Sequence, residues 1–404
     1  MTTSTPSDAA GEADFVCSAG SSARSACGLE QLYKVLDDKP YCVLHFPAAK
    51  NLRSFDRAVQ QKVLRKDFNF HRVWFPRDYY ILGVEFGRAV FTEAIFSGRA
   101  SFARTTFTKG AFFGEVTFGD GADFWRTTFH EVANFNGAKF GGSVDLDEAV
   151  FHAIATFEST TFADAVRFRG AQMFTDDSSL RLQFAKFEKP DLVSFHTVVL
   201  RPGWFVNVDP REFEFTNVDW KWRSAEEEVA SLRDVVAFPH RMLAIACRHL
   251  AVNAEENHRY EEASKFRYMA MDAKRLEHWR GYDFRKLSWW YWLASGYGER
   301  ILRAGAVLLG LIVIFAALYT RVGFLRWEPR LVSGTDAAVA QRDETGAPLN
   351  SMRALTYSVA VMTFQRPEPR PATTTAQTIV LLESILGPVQ AALLALAIRR
   401  KFMR

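Results

Sequence analysis

The sequence predicts a mixed fold, in which a β-solenoid is followed by an α-helical hairpin and by two transmembrane helices. Phenylalanine recurs with a fixed period between residues 86 and 173. Apolar residues then recur at helical spacing, and two apolar segments near the C-terminus are long enough to cross a bilayer. The length of 404 residues agrees with more than one domain.

Residues 1–14 of the N-terminal segment 1–16 are mostly small and polar, and the segment contains neither a basic stretch nor an apolar core. We therefore expect a disordered tail there rather than a secretory signal. The net charge of the chain is +4, a mild basic bias that does not argue for a nucleic-acid partner.

Residues 17–50 form a head that contains three of the four cysteines, Cys17, Cys27 and Cys42, together with His45. A Cys-x2-His pair can hold one metal ion from two sides of a tight turn. The two remaining cysteines would complete a tetrahedral Cys3His zinc site. The alternative is that these are ordinary buried thiols and a surface histidine. Zinc is therefore a candidate cofactor.

A ladder of large side chains begins at residue 86 and continues to residue 173. Its centres are residues 86, 91, 96, 102, 107, 113, 118, 124, 129, 135, 140, 146, 151, 157, 162, 168 and 173. Fifteen of these seventeen centres are phenylalanine, and a small or β-branched residue precedes every centre by two positions. From Phe96 onward the steps alternate between six and five residues. A helix would need spacings of three and four, and a strand would need two, so the ladder predicts a solenoid with buried Phe.

These residues resemble Phe-centred pentapeptide repeats. The resemblance implies a right-handed, four-sided β-helix, of which residues 86–173 would make about four coils. We assign residues 51–222 to this β-helix with its caps, and residues 174–222 to its irregular last coils and cap. The head of residues 17–50 likewise resembles a cysteine-rich segment that precedes the repeats in some membrane-anchored pentapeptide proteins.

The outer faces of the solenoid are close to neutral. Residues 86–187 contain 12 acidic and 10 basic side chains. Some relatives with such repeats mimic DNA through a dense negative field, and this near balance argues against that function.

Residues 223–285 predict a helical hairpin, with one helix over 239–254 and a second over 260–279. This segment resembles a single tetratricopeptide-type hairpin. One hairpin cannot bury both of its faces, so it must pack on the solenoid end, on the membrane segment or on another subunit. Its charged face is either solvated or a groove for a protein partner.

Residues 286–404 predict a membrane domain with spans at about 301–320 and 376–398. Aromatic residues at 289–292 are typical of the membrane interface. Lys and Arg flank both spans on their outer sides, which predicts a multi-pass membrane protein with both termini in the cytoplasm. The lipid bilayer is then one partner of the chain.

Between the spans lies a short apolar segment, residues 354–363, that ends in Thr363. This plan resembles a two-transmembrane potassium channel subunit. The resemblance covers about 100 residues and implies a re-entrant pore helix, a homo-oligomer that is a tetramer if it forms a pore, and an inner-helix hinge near Gly387.

The selectivity filter departs from the potassium-channel pattern. A potassium filter needs glycines so that stacked carbonyls can replace the hydration shell of the ion. Here Phe364, Gln365 and Arg366 follow Thr363, and Pro367 comes next. Four copies of Arg366 would repel cations, which leaves a non-selective pore, an anion-passing pore or a fold that does not conduct.

Glu383 lies inside the second span, where an unpaired carboxylate costs about 2–3 kcal/mol. It either pairs with Arg366 or Arg370, or lies near the membrane interface.

The sequence contains no P-loop, nucleophile elbow or HExxH motif, so we expect no enzyme. Two hypotheses follow. The first is a channel-like membrane protein with a degenerate filter, whose cytosolic solenoid senses or docks. The alternative is a non-conducting, membrane-tethered scaffold that binds a protein partner through its solenoid or hairpin.

Overall fold

The computed structural model describes residues 17–18, 32–277, 285–331 and 338–402, with the backbone alone at 326–331, 338–346 and 401–402. Two compact units make up the chain, Met1–Ala273 and Lys274–Arg404. Cys27, the tail at 1–16, and the end of the second hairpin helix at 278–279 lie outside the described residues.

The first unit is a β-solenoid, as the Phe ladder predicts. Its strands, mostly of two residues each, stack into four parallel sheets of seven, six, five and four strands. The seven-stranded sheet contains Tyr79–Tyr80, Ala100–Ser101, Ala122–Asp123, Val144–Asp145, Val166–Arg169, Val193–His196 and Glu214–Thr216. The six-stranded sheet contains Trp74–Phe75, Ile95–Phe96, Thr117–Phe118, Lys139–Phe140, Thr161–Phe162 and Lys186–Phe187. The five-stranded sheet contains Ala89–Val90, Ala111–Phe112, Ala133–Asn134, Ile154–Thr156 and Ser179–Arg181. The four-stranded sheet contains Glu85–Phe86, Thr106–Phe107, Thr128–Phe129 and Val150–Phe151. Two further strands, Val199–Leu200 and Asp219–Trp220, pair with each other beside the last coils.

The register of the coils follows the sequence period. Phe96 pairs with Phe118, and Phe118 pairs with Phe140, so successive coils are 22 residues apart. From Phe91 onward, each five-residue step contains a corner residue with positive φ, such as Glu93 (φ 58°) or Arg104 (φ 59°). The alternation of five and six therefore reflects two different kinds of corner.

The core of the solenoid consists of stacked phenylalanine rings. Phe113 lies 4.9 Å from Phe91 and 4.9 Å from Phe135 between ring centroids, with interplanar angles of 1° and 3°. Phe107 and Phe129 stack at 5.0 Å in the same way. All five rings are fully buried. Each such pair adds about 0.5–1.5 kcal/mol beyond the burial of its area.

Both ends of the solenoid are covered by helices. At the first end, α1 (Leu52–Leu64), which the sequence analysis did not predict, places Phe55 against Phe75 with ring centroids 5.6 Å apart. A small antiparallel pair, Lys34–Leu36 with Lys39–Tyr41, precedes this helix. Residues 190–192 and 202–205 form short 3-10 turns near the other end.

The second end is covered by α2 (Ala225–Leu232), α3 (Pro239–Glu256) and α4 (Tyr260–Leu276). The amide of Asn253, on α3, donates to the carbonyls of Pro210, Arg211 and Phe213 at 2.7–3.1 Å. Of the three neighbours considered for the hairpin, it packs on the solenoid end. The coils continue through residues 174–222, and their cover comes from these helices.

The second unit contains α5 (Leu287–Ser295), α6 (Ile301–Tyr319), α7 (Ser351–Met362) and α8 (Thr374–Phe402). An antiparallel pair of strands, Phe324–Leu331 and Ala338–Ala347, lies between α6 and α7. Both α6 and α8 are long and apolar enough to cross a membrane. The described part of the chain thus contains eight helices.

Candidate functional site

The Cys/His head brings three of its four predicted ligands together. The candidate ligand atoms of Cys17, Cys42 and His45 all lie within 4.8 Å of one another, and all three side chains are buried. Nδ1 of His45 lies 3.6 Å from Sγ of Cys17 and 3.0 Å from Sγ of Cys42. Zinc bond lengths and a tetrahedral angle imply a separation of roughly 3.5 Å between such atoms.

The ring of His45 is oriented for metal binding. Its Nε2 lies 2.8 Å from the backbone carbonyl of His71, to which it can only donate a hydrogen bond. This tautomer leaves a lone pair on Nδ1, the atom that faces the two sulfurs. The backbone N–H of Cys42 also lies 3.5 Å from Sγ of Cys17, a contact that favours a thiolate.

The loop that carries these ligands is held against the first coil. Nζ of Lys50 donates to the carbonyls of Leu44 and Trp74 at 2.8 Å each. Burial lowers the pKa of Lys50 to about 7, while the charge of Cys42 acts in the opposite direction. Cys17, Cys42 and His45 could therefore hold a metal ion that ties the head to the solenoid. The role of Cys27 stays a prediction, since Cys27 lies outside the described residues.

In the second unit, α7 packs against both α6 and α8. Ile379 and Val380 of α8 pack against a cluster of buried side chains from α6, α7 and the residues between them: Phe315, Ala316, Tyr319, Phe324, Leu349, Ala354, Tyr357, Val361 and Met362. The short helix therefore belongs to the core of this unit and is not a loose linker.

Both ends of the segment around α7 return to the same end of α6. The N–H of Leu349, just before α7, donates to the carbonyl of Tyr319 at 3.3 Å. After α7, the N–H of Ala372 donates to the carbonyl of Gly323 at 3.1 Å. The far end of α7 instead meets the middle of α8, because a Cβ atom at Gly387 would lie 2.5 Å from Cγ of Met362.

Glu383 is fully buried where α6, α7 and α8 meet. One carboxylate oxygen accepts a hydrogen bond from Tyr319 of α6, and the other accepts one from Ser358 of α7. These hydroxyls replace the partners expected from the sequence, because both Arg366 and Arg370 are exposed. The carboxylate thus joins three helices and does not lie at an interface with solvent.

A second polar side chain joins α8 to the start of α6. The amide of Gln390 donates to the carbonyls of Ala294 and Ala304 at 2.8 Å each. The buried residues of α8 are Ala376, Glu383, Gly387, Gln390 and Ala397, and all of them except Gly387 are spaced by seven. A repeat of seven defines a single seam, so most of the remaining surface of α8 is not covered by the described part of the second unit.

The residues in the place of a selectivity filter end α7 in a Schellman motif. Phe364 has a left-handed backbone (φ 58°), and its N–H donates to the carbonyl of Val361. The N–H of Gln365 donates to the carbonyl of Ala360. This is the 6→1 and 5→2 pattern that stops a helix. Thr363, Phe364, Gln365 and Arg366 are all exposed, and Pro367 follows them.

Sequence analysis missed Tyr319, Ser358 and the bridging role of Gln390. The sequence did indicate that each is a polar side chain in a mainly apolar helix. Such side chains commonly form hydrogen bonds with neighbouring helices. Their partners depend on how the helices pack, which the spacing of one helix does not give.

The fold and the described site define a class: a β-solenoid protein with two candidate membrane-spanning helices. Residues 91–139 and 135–181 match the family model described as pentapeptide repeats (9 copies). The solenoid is therefore a pentapeptide-repeat solenoid, as the Phe ladder indicated. No curated protein matches the chain.

Proposed function

We propose that residues 286–404 form a membrane pore module and that the pentapeptide-repeat solenoid is its sensing or docking head. The observation that carries this proposal is the path of the segment around α7. The segment starts at the C-terminal end of α6 and returns to the same end. Between these two points, the end of α7 lies beside Gly387 of α8. Gly387 lies 13 residues into α8, about 20 Å along the helix, which is well inside a bilayer of about 30 Å.

The exposure of the two long helices supports a membrane location. Only 17% of the most apolar window of either α6 or α8 is buried, whereas a core helix of a soluble protein is mostly buried. Exposed leucine, isoleucine and valine side chains continue along α8, at Leu381, Leu382, Ile385, Leu386 and Val389. We propose that both termini are cytoplasmic, because basic residues flank the two spans on their outer sides.

A pore also requires several copies. Thr363, Gln365 and Arg366 are exposed at the tip of the re-entrant segment, and polar groups at that depth need water or protein around them. A tetramer, as the resemblance implies, would place these side chains around a shared axis. The solenoid and the hairpin would then offer their outer faces to a protein partner.

The alternative function is a membrane-tethered scaffold that does not conduct. It is favoured by the Schellman motif at Phe364, because a closed helix end does not present the stacked carbonyls of a cation filter. The two functions share the same fold and differ only in whether ions pass.

Recording from the purified full chain in planar bilayers separates them. If the chain forms a pore, we expect discrete currents. Gly387→Ala should lower these currents, because the added methyl group would push on Met362 at the end of α7. Gly310→Ala is the matched control, since a Cβ atom there meets nothing within 4 Å. A purified tetramer that passes no current in any salt would refute the pore and leave the scaffold.

We also propose that the Cys17, Cys42 and His45 group holds Zn²⁺ as a structural ion. The separations of these three donors and the tautomer of His45 support it. The purified full chain should contain about one zinc ion per chain, and Cys42→Ala should lose it. Cys247→Ala, at a buried cysteine of α3, should retain the metal. A full chain that is metal-free as purified and takes up no added zinc would contradict this proposal.

A further inference from the structure

We infer that the pore selects anions and that the Arg366 side chain is the group that selects them. This inference rests on the proposed pore and names the class of ion that it passes. It is carried by the position, exposure and charge of the residues that follow α7, residues 363–370.

The tip of the re-entrant segment is the turn that follows α7, and Arg366 is the first charged residue in it. It lies three residues after Thr363, where α7 has ended beside the middle of α8. Arg370 has already returned to the end of α6, because its carbonyl accepts a hydrogen bond at 2.8 Å from the N–H of Leu325. Glu368 lies between these two positions along the chain.

No described carboxylate neutralises the charge of Arg366. Its side chain is exposed, and the ion pairs of the described residues do not include it. The partial negative charge at the end of α7 amounts to about half an elementary charge, which leaves a net positive field at the tip. Arg366, Glu368 and Arg370 together carry a net charge of +1.

A permeant ion would therefore meet a ring of guanidinium groups at the narrow part of the pore. The segment also lacks the glycine-containing run from which a cation filter is built. The N–H groups of residues 363–365 turn back onto α7, and Pro367 and Pro369 lie beyond them. A small monovalent anion such as chloride fits this field.

Reversal potentials in a KCl gradient test the inference with the full chain in planar bilayers. A site of one sign raises the local concentration of the opposite ion by about tenfold or more, so chloride should permeate about tenfold better than potassium. Arg366→Gln should bring the two permeabilities to within about twofold of each other, and Glu368→Gln should increase the preference for chloride.

The matched control is Arg353→Gln. Arg353 is also exposed, but it lies in the first turn of α7, at the other end of that helix, so the preference for chloride should remain. A current that reverses near the potassium potential would overturn the inference and leave the proposed pore intact, as would an unchanged preference in Arg366→Gln. Absence of any current from the assembled full chain would overturn both.

Discussion

The substitution Phe113→Leu tests whether the stacked phenylalanine rings stabilise the solenoid. The ring of Phe113 is fully buried and stacks on Phe91 and on Phe135, each at 4.9 Å between centroids. Phe113→Leu keeps an apolar side chain but removes both stacked pairs, which are worth about 0.5–1.5 kcal/mol each. We therefore expect the free energy of local opening to fall by about 1–3 kcal/mol.

Hydrogen exchange of the full chain, followed by mass spectrometry, measures this change coil by coil. Each coil of a solenoid contacts mainly its neighbours, so exchange should rise in the coils that contain residues 91, 113 and 135 and remain unchanged in α8. Phe184→Leu is the matched control, because that side chain is 64% exposed and should change stability by about 0.5 kcal/mol or less. Equal effects of the two substitutions, or a change spread evenly over the chain, would refute the reasoning.

Three further substitutions probe buried polar groups. Burial raises the pKa of Glu228, so stability that is present at low pH is lost as the pH rises through the folded pKa. Glu228→Gln should therefore raise the melting temperature of the solenoid unit more at pH 8 than at pH 5, and a uniform shift would contradict this. Asn253→Leu should cost about 1–3 kcal/mol by leaving buried carbonyls unpaired, whereas Val252→Ala, at an exposed neighbour, should cost far less. Glu383→Ala should lower the melting temperature of the second unit in detergent, because Tyr319 loses its acceptor and Ser358 keeps only the carbonyl of Ile312 at 3.3 Å, and an unchanged value would show that these bonds do not stabilise the unit.

The solenoid could be predicted closely from the sequence, because a solenoid repeats one local solution. Each centre such as Phe118 faces its equivalents at Phe96 and Phe140 in the neighbouring coils, so the period of the sequence is also the period of the structure. The left-handed backbone of the corner residues could not be predicted from the period. Glu93 and Arg104 occupy conformations that favour glycine, and each donates its N–H to a carbonyl of the next coil, that of Gly114 at 2.9 Å and that of Trp125 at 2.8 Å.

For the second unit, the sequence predicted the helices but not the contacts between them. Hydropathy locates α6 and α8, because both are apolar over a length that could cross a bilayer. The partners of Glu383 depend on the rotation and depth of three helices, and the sequence suggested arginines where the structure places two hydroxyls. The strand pair at Phe324–Leu331 and Ala338–Ala347 escaped prediction as well, since its residues do not alternate between apolar and polar.

The mass of the assembly in the membrane tests most directly whether the segment around α7 surrounds a shared axis. Native mass spectrometry of the full chain, released from nanodiscs, measures it without assuming that ions flow. The pore predicts four copies of the 45.8 kDa chain, with or without one zinc ion each. A mass of one or two chains, at concentrations where the protein is active in bilayers, would contradict a central pore.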